Sequence, residues 1–393
     1  MKNIYIFILI IFTFFSCDNV KISSISNTSI QTFNLENFTD SLSNSLKITE
    51  LKNIPLETRR ECLIGRINKI LVLDNKIYIL DSSIANSILV FSLEGKFIYK
   101  ICKTGKGPGE YLSLTDFDVD NFGNIFVQDQ VSGKIIKYSN SGTQFQEIFH
   151  NDLCYVHFNF ISDSLVIFED YRYFTDIKNK KKPCGIVYWN PLTKKVVDRF
   201  FPLRKRKLEE IVRTSNRVVW ESGEKLFYLR SFSDTIFELQ KNGPIAKYVF
   251  KFPLKRRSFS ELEHLDENKG KQEIMLGKYG ATITSFYETE KYIFMNYNIF
   301  GNSNYFYYKK NEKRALTGDV ILKNQAIMTG IHVDAIYDDY FISIISDYHL
   351  EKYLKEAKSN SIWFKNRFGV KSVDLLKSLP DDTNPILVMY KLQ

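Results

Sequence analysis

The chain has 393 residues, of which 44% are hydrophobic and 15% are aromatic. This apolar content excludes an intrinsically disordered protein, and the length is sufficient for a large hydrophobic core. The net charge is +9 and is spread over side chains of both signs.

The N-terminus has the pattern of a lipoprotein signal peptide over residues 1–16. Lys2 is followed by an apolar run at 4–15, which is too short to span a bilayer but suits a signal peptide. The sequence FFSC at 14–17 resembles a lipobox and predicts lipidation of Cys17, although Phe15 stands where a small residue is usual. The alternative is an ordinary secretory signal followed by an incidental cysteine. Acylation would attach the protein durably to a membrane.

Residues 17–45 are rich in Ser, Asn and Thr and have no sustained period. This composition predicts a flexible tether that holds a folded domain off the membrane. Residues 46–56 are more regular and predict a first β-strand.

The most informative stretch is 105–138, GKGPGEYLSLTDFDVDNFGNIFVQDQVSGKIIKY. Its Gly/Pro cluster cannot lie inside a helix or a central strand and therefore forms a turn. The run DFDVD alternates polar and apolar residues, which is typical of a half-buried strand. Turn residues separate it from IFVQD and then from KIIKY, so the stretch predicts an antiparallel meander.

The same pattern occurs once before this stretch and recurs more loosely after it. Asp81 and Asp129 occupy equivalent places about 48 residues apart, as do Gly95 and Gly142. A period of roughly 40–50 residues with four strands per repeat is typical of propeller blades. Further repeats are predicted at 156–200, 217–252, 282–321 and from 332 onward, which gives six blades in residues 46–393. We expect the strand at 46–56 to pair with 385–390, because this closure leaves no exposed sheet edge.

Two stretches depart from the β pattern and predict helical inserts. Residues 258–277 open with a capping box, and 347–379 contain spaced apolar residues among charges. Such inserts either shape a binding site or only pack against a blade.

These residues resemble a known family. The motif GKGPGEY, the run from DFDVD to NIFVQD and the C-terminal NPILVMYKL are similar to the six-bladed β-propeller lipoproteins of Bacteroidetes, which are related to NHL-type propellers. The resemblance covers most of residues 50–393. It implies an all-β propeller of four-stranded antiparallel blades in the cell envelope, at the outer membrane, and it implies little about chemistry.

Candidate sites are few. Asp116, Asp118 and Asp120 lie on one strand face, but same-face positions about 6.6–7 Å apart are wide for one calcium ion without further ligands. We therefore expect solvated or turn-capping carboxylates there, and no metal site. Asp81 and Asp129 recur because aspartate accepts hydrogen bonds from backbone at strand-ending turns, which indicates a structural role.

No catalytic or cofactor motif is present. The five histidines have no zinc spacing, and the sequence contains no nucleophile elbow, Walker A motif or dinucleotide fingerprint. The sequence thus predicts no catalytic residue and no cofactor, although an enzyme site gathered from several blades would leave no motif. The even number of cysteines after Cys17, namely Cys62, Cys102, Cys154 and Cys184, permits disulfides, but free thiols are favoured.

Three basic runs, at 178–182, 204–207 and 255–257, are interpreted as solvated loops, with an acidic glycan or a lipid headgroup as the alternative partner. Nucleic acid is not an expected partner in the envelope. The leading hypothesis is a binding or assembly module for a protein, peptide or glycan. The alternatives are a propeller enzyme, such as a lyase or lactonase-like hydrolase with channel carboxylates and calcium, and a purely structural envelope component.

Overall fold

The structure is a computed structural model. It describes residues 30–35, 46–150, 155, 157–169, 184–202, 217–230, 233–252, 269, 282–299, 302–318, 333–345, 347–359 and 361–393. The described residues form six β-sheets and two helices.

The first three blades follow one another along the chain, and each is an antiparallel meander of four strands. Blade 1 contains β3 (Lys69–Leu73), β4 (Lys76–Asp81), β5 (Ser87–Ser92) and β6 (Phe97–Ile101). Blade 2 contains β7 (Leu114–Val119), β8 (Ile125–Asp129), β9 (Lys134–Tyr138) and β10 (Phe145–Phe149). Blade 3 contains β11 (Phe158–Ser162), β12 (Leu165–Glu169), β13 (Cys184–Asn190) and β14 (Lys195–Pro202).

The second half of the ring uses strands from both ends of the chain. Blade 4 contains β15 (Val219–Ser222), β16 (Lys225–Leu229), β17 (Thr235–Gln240) and β18 (Gly243–Lys251), and it gains β1 (Gln31–Asn34). Blade 5 contains β19 (Thr282–Glu288), β20 (Tyr292–Ile299), β21 (Asn302–Lys309) and β22 (Arg314–Gly318). Blade 6 contains β23 (Ala335–Tyr337), β24 (Tyr340–Ile344), β25 (Ile386–Leu392) and β2 (Ile48–Pro55). The predicted six-bladed propeller is confirmed.

The two termini close the ring as the sequence predicts. Strand β2 pairs antiparallel with β25, with Leu51 opposite Tyr390 and Ile54 opposite Leu387. This pairing gives blade 6 its fourth, outer strand, so β25 is not left as an unpaired edge strand.

The core consists of layers shared between adjacent blades. Ile79 and Leu89 of blade 1 pack in one cluster with Ile342 and Met389 of blade 6. The middle strands are buried on both faces, as in β4, where five of six residues are buried. Each blade therefore depends on its neighbours for its core.

The repeated aspartates accept hydrogen bonds from equivalent backbone groups in blades 1 and 2. Asp81 accepts hydrogen bonds from the N–H groups of Gly65 and Arg66, at 2.7 and 3.0 Å. Asp129 accepts from the equivalent pair, Leu112 and Ser113, at 2.9 and 3.1 Å. The predicted structural role of both aspartates is confirmed.

Strand β1 lies inside the segment that the sequence predicts as a tether. It pairs parallel with β18, and its Phe33 is buried against Phe250, Phe306 and Tyr308. The expectation of a tether over 17–45 therefore does not hold for residues 31–34. The reason is that a single aromatic side chain in a polar segment can fill a space between two blades. Such a tertiary contact leaves no periodic pattern in the local sequence.

Two helices, α1 (Asp347–Lys358) and α2 (Ile362–Ser378), connect β24 to β25. The Ser361 side chain caps α2 by accepting from the Phe364 N–H, and Gly369 breaks the helix at a φ of 79°. Leu350, Leu354, Phe364 and Phe368 pack on the cluster between blades 5 and 6. The predicted insert at 347–379 is confirmed. The predicted insert at 258–277 lies outside the described residues except Lys269.

Candidate functional site

The first strand of each blade lines the axis of the propeller, and charged side chains from four blades meet there. Lys69 begins β3 in blade 1, and Asp116 and Asp118 lie on β7 in blade 2. Blades 3 and 4 contribute a set of four residues from β11, β15 and the positions just before them: His157, Asn159, Arg217 and Glu221. We call these seven residues the central network.

Asp116 is the most highly bonded member of the central network. Its carboxylate is 1% exposed, and Oδ1 lies 2.6 Å from Nη2 of Arg217 and 3.3 Å from Nζ of Lys69. Its Oδ2 lies 3.4 Å from Nδ1 of His157 and accepts the Phe158 N–H at 3.1 Å. One carboxylate therefore joins the first four blades.

Lys69 is almost completely buried, with a side chain 2% exposed. Its Nζ lies 2.9 Å from Oε1 of Glu221 and donates to the Phe117 carbonyl at 2.6 Å. The same Glu221 oxygen accepts from Nδ2 of Asn159 at 2.8 Å. The ammonium group therefore has acceptors from blades 2 and 4, as a buried charge requires.

Asp118 binds backbone in the next blade. Its Oδ2 accepts the Phe160 N–H at 2.7 Å, and its Oδ1 accepts the Val119 N–H at 2.8 Å. Asp116 makes the same pair of bonds two residues earlier, to Phe158 in blade 3 and to Phe117 in its own strand. The two carboxylates connect the adjacent strands β7 and β11.

The two aspartates have opposite pKa shifts. Burial raises the pKa of Asp116, but the charges of Arg217 and Lys69 outweigh this and hold it well below its usual range. Burial, and then the negative charge of Glu221, raise the pKa of Asp118 to about 7, against the opposing charge of Lys69. Near neutral pH Asp118 therefore exchanges a proton while Asp116 stays ionised.

The chemistry open to this network is limited, because its cations and carboxylates bind one another. Arg217, Glu221 and His157 are the members that are partly exposed. In the part of the chain that the structure describes, no group of three or more His, Cys, Asp or Glu side chains can hold a metal ion. The geometry is that of an ion-pair network that connects blades and has a polar, partly accessible end.

The expectation of solvated or turn-capping carboxylates is right for one of the three aspartates and wrong for the other two. Asp120 caps a turn, where it accepts the N–H groups of Phe122 at 3.0 Å and Asn124 at 2.8 Å. Asp116 and Asp118 are neither solvated nor turn-capping; they are buried at the centre. The prediction was wrong for them because strand alternation identifies a common face but not whether that face meets solvent or the axis.

Lys69, Arg217 and Glu221 are site residues that the sequence did not predict. One signal was available for Lys69, since a charge directly before the apolar run ILVL begins the first strand of a blade and so lies at the axis. Arg217 and Glu221 have no comparable local signal.

The two faces of the propeller differ in the connections that they carry. The strand order places links between blades, and between second and third strands, at one face, which we call the loop face. The longest connections, 252–281 and 345–385, join strand ends at this face. At the opposite face, which we call the turn face, no connection between consecutive described strands of one blade is longer than 139–144. Among the connections within and between consecutive blades, the long ones therefore lie at the loop face.

Several other predicted features lie outside the described residues: Cys17, Cys154, His264, His332 and the three basic runs. Cys62 is a buried free thiol and Cys102 an exposed one, whereas the buried Cys184 has its Sγ 3.3 Å from the Ile186 carbonyl. His349 is exposed on α1, and burial lowers the pKa of His150 to about 4. Within the described ranges, no helix is long and apolar enough to cross a membrane.

Comparison with solved structures shows the same fold in a bacterial protein. A protein of Bacteroides fragilis NCTC 9343 described as exported superposes with a TM-score of 0.73 at 20% identity, over 93% of this chain and 100% of that one. A member of the DUF4221 family from Bacteroides vulgatus ATCC 8482 gives 0.49 at 8% identity, over 89% and 98%. Virginiamycin B lyase from Staphylococcus aureus gives 0.37 at 12% identity, over 71% and 76%. The last two likenesses carry no argument about function.

Comparison with sequences places the chain in a family. No curated protein matches it significantly. The model of the domain of unknown function DUF4934 matches residues 30–391, which include all of the described strands except the last residue of β25. The chain belongs to the DUF4934 family and folds as a six-bladed β-propeller.

Proposed function

We propose that the protein is an envelope lipoprotein, anchored through Cys17, that acts as a binding or assembly module and presents its loop face to a protein, peptide or glycan. The observation that carries the proposal is the difference between the two faces. The long connections within and between consecutive blades join strand ends at the loop face, and binding residues are disproportionately found on loops held by a rigid scaffold.

The charged side chains at the axis are buried and paired with one another, which favours binding at the loop face over catalysis in the channel. Lys69 and Asp116 are at most 2% exposed and bind each other and their neighbours. A substrate would have to break these ion pairs to reach either group, and breaking buried pairs is costly.

The proposed location rests on two observations. The lipobox-like sequence at 14–17 supports the anchor, and the B. fragilis protein with the same fold is described as exported. Placement at the outer membrane and the relation to NHL-type propellers are parts of the proposal that rest on the sequence resemblance alone.

A propeller enzyme is the second candidate, because acidic and histidine side chains do converge at the axis. Asp116, Asp118, Glu221 and His157 come from three different blades. A lyase or lactonase-like hydrolase would use Asp118, whose pKa of about 7 suits proton transfer, beside the partly exposed Glu221. We rank the enzyme second because the cations and carboxylates of the central network pair with one another and most of them are buried.

Photocrosslinking in cells tests the binding proposal. A crosslinking amino acid would replace exposed side chains of the loop face, Leu63 and Leu112, and of the turn face, Phe122 and Leu192. We expect discrete adducts from loop-face positions and few from turn-face positions. Adducts from the turn face alone would overturn the proposal. In the same cells, C17S should move the protein from the membrane fraction to the soluble fraction.

A further inference from the structure

Three lysines surround one buried carboxylate where blades 4 and 5 meet at the turn face. Glu288 is the last residue of β19, and its side chain is 4% exposed. Lys225 begins β16, Lys247 lies in β18, and Lys310 directly follows β21. We call these four residues the lysine cluster.

Short contacts hold the lysine cluster together as one site. Nζ of Lys310 lies 2.6 Å from Oε1 of Glu288, and Nζ of Lys225 lies 3.4 Å from the same oxygen. Nζ of Lys247 lies 3.3 Å from Oε2 of Glu288. The N–H of Glu288 also donates to Oγ of Ser222 at 3.0 Å, which joins blade 5 to blade 4. The cluster is therefore fixed by side chains from both blades.

The lysine cluster has more positive charge than its carboxylates balance. Burial raises the pKa of Glu288, but the three ammonium groups outweigh this and hold it below its usual range, so the carboxylate is ionised at neutral pH. Glu238 pairs with Lys247 and supplies a second negative charge. Three ammonium groups therefore meet two carboxylates, and one positive charge is left over.

Two of the lysines have N–H groups left for a further ligand. Lys225 is 46% exposed, and among the described residues its one acceptor is the Glu288 oxygen at 3.4 Å. Lys310 is 26% exposed and donates to Glu288 and to the Thr289 carbonyl, both at 2.6 Å. Because an ammonium group has three N–H donors, both side chains can also donate to an oxyanion.

The turns around the lysine cluster carry a further excess of positive charge. Lys291 pairs with Asp339, and Lys309 pairs with Glu312 at 3.2 Å. The other exposed charges at the turns of blades 4 and 5 are three cations and two carboxylates: Lys241, Lys313, Arg314, Glu224 and Glu290. The turn face of these two blades therefore attracts anions.

The N-terminal segment joins the propeller at blade 4, on the same side of the ring. Strand β18 runs from the turn face to the loop face, and β1 pairs parallel with it, so β1 begins at its turn-face end. Thirteen residues separate Cys17 from Gln31, and a fully extended chain of that length spans at most about 45 Å. An acyl anchor at Cys17 would therefore keep blade 4 close to the membrane.

We propose that the lysine cluster binds the phosphate groups of anionic lipids, so that the turn face of blades 4 and 5 lies against the membrane. The inference rests on the anchor at Cys17 in the proposed function, and it turns the loop face away from the membrane, toward the proposed partner. Lysine binds phosphate as a point charge, and each lysine near an anionic surface adds to the attraction. A lipid is favoured over a soluble phosphate because the anchor keeps lipid headgroups within reach of the cluster.

Vesicle flotation tests this proposal with the chain from residue 18 onward, which keeps every described residue and lacks the signal peptide and the acylated cysteine. Vesicles of phosphatidylglycerol with phosphatidylcholine are compared with vesicles of pure phosphatidylcholine. The cluster variants are K225A and K225A/K310A. The matched control, K96A/K194A, removes two exposed lysines from turn-face turns of blades 1 and 3 and so has the same net charge as the double variant.

We expect the parent to bind the anionic vesicles, K225A to bind about threefold more weakly, K225A/K310A about tenfold more weakly, and K96A/K194A as the parent does. The single variant K225A keeps the test decisive if the double variant does not fold. Equal weakening by the cluster and control variants, or no binding by the parent, would overturn the inference.

Inorganic phosphate distinguishes a lipid from a soluble ligand. If it raises the melting temperature of the parent but not of K225A/K310A, and the parent does not bind anionic vesicles, then the cluster takes a soluble phosphate and the lipid inference fails. The C17S fractionation and the loop-face crosslinking test the proposed function separately, so a failure of either is distinguishable from a failure of the lysine cluster.

Discussion

The carboxylate of Asp116 lies 2.6 Å from the guanidinium of Arg217, although 101 residues separate them in the chain. Asp116 belongs to blade 2 and Arg217 precedes the first strand of blade 4, so the contact crosses the axis past blade 3. Lys69 of blade 1 lies 3.3 Å from the same carboxylate oxygen. The centre of this propeller is therefore bridged by ion pairs between its blades.

The first prediction concerns the stability that this contact provides. D116N should lower the free energy of unfolding by about 3 kcal/mol or more, because it leaves the buried Lys69 and the neighbouring Arg217 without their shared carboxylate. Urea unfolding followed by tryptophan fluorescence measures the loss. The control is E224Q, which changes an exposed carboxylate on a turn-face turn and should have little effect. Equal losses in the two variants would contradict the importance of the network.

The second prediction is a pH dependence caused by Asp118. Its pKa rises from 3.8 to about 7 on folding, so the folded protein holds the proton more tightly than the unfolded chain does. The free energy of unfolding should therefore contain a part that is present at pH 4, falls as the pH rises to about 7 and is constant above that. Asp116 has a lowered pKa, so its effect lies below this window.

The variant D118N tests this assignment. Its amide nitrogen cannot accept a backbone N–H as the carboxylate oxygens do from Phe160 and Val119, so D118N should be less stable than the parent at pH 4, where Asp118 is protonated and its ionisation costs nothing. The informative quantity is the slope of stability against pH between 4 and 7, which should differ between the two proteins. Parallel curves over that window would refute the raised pKa of Asp118.

The sequence predicted the fold because its repeats are local. The turn glycines Gly95 and Gly142 both have positive φ, at 84° and 70°, and each marks the last turn of a blade. The paired Asp81 and Asp129 mark the second strands. These turn residues lie within a few positions of the strands that they delimit, so a single sequence is enough to recognise the strands.

The central network could not be predicted in the same way. Lys69, Asp116 and Glu221 come from three blades, and their contact depends on how the ring closes rather than on spacing along the chain. The docking of Phe33 on blade 4 was missed for the same reason. A single sequence does not show which residues of different blades come into contact when the ring closes.

The third prediction concerns the N-terminal strand. F33A should cost about 3 kcal/mol of stability, because it removes a buried ring that contacts Phe250, Phe306 and Tyr308. The adjacent T32A alters an exposed residue on the same strand and serves as the control. Thermal unfolding compares the two. If F33A and T32A unfold at the same temperature, then residues 30–35 belong to the tether and not to blade 4.

The fourth prediction tests whether the repeated aspartates are structural equivalents. Besides the paired bonds described above, Asp81 accepts the Ile84 N–H at 2.9 Å and Asp129 accepts the Ser132 N–H at 3.2 Å. D81A and D129A should each lower the free energy of unfolding by about 2 kcal/mol or more, because they leave backbone donors unsatisfied next to a buried strand end. The exposed turn residue Asp163 provides the control, D163A. A loss no larger than that of D163A in either variant would contradict the structural role of that aspartate.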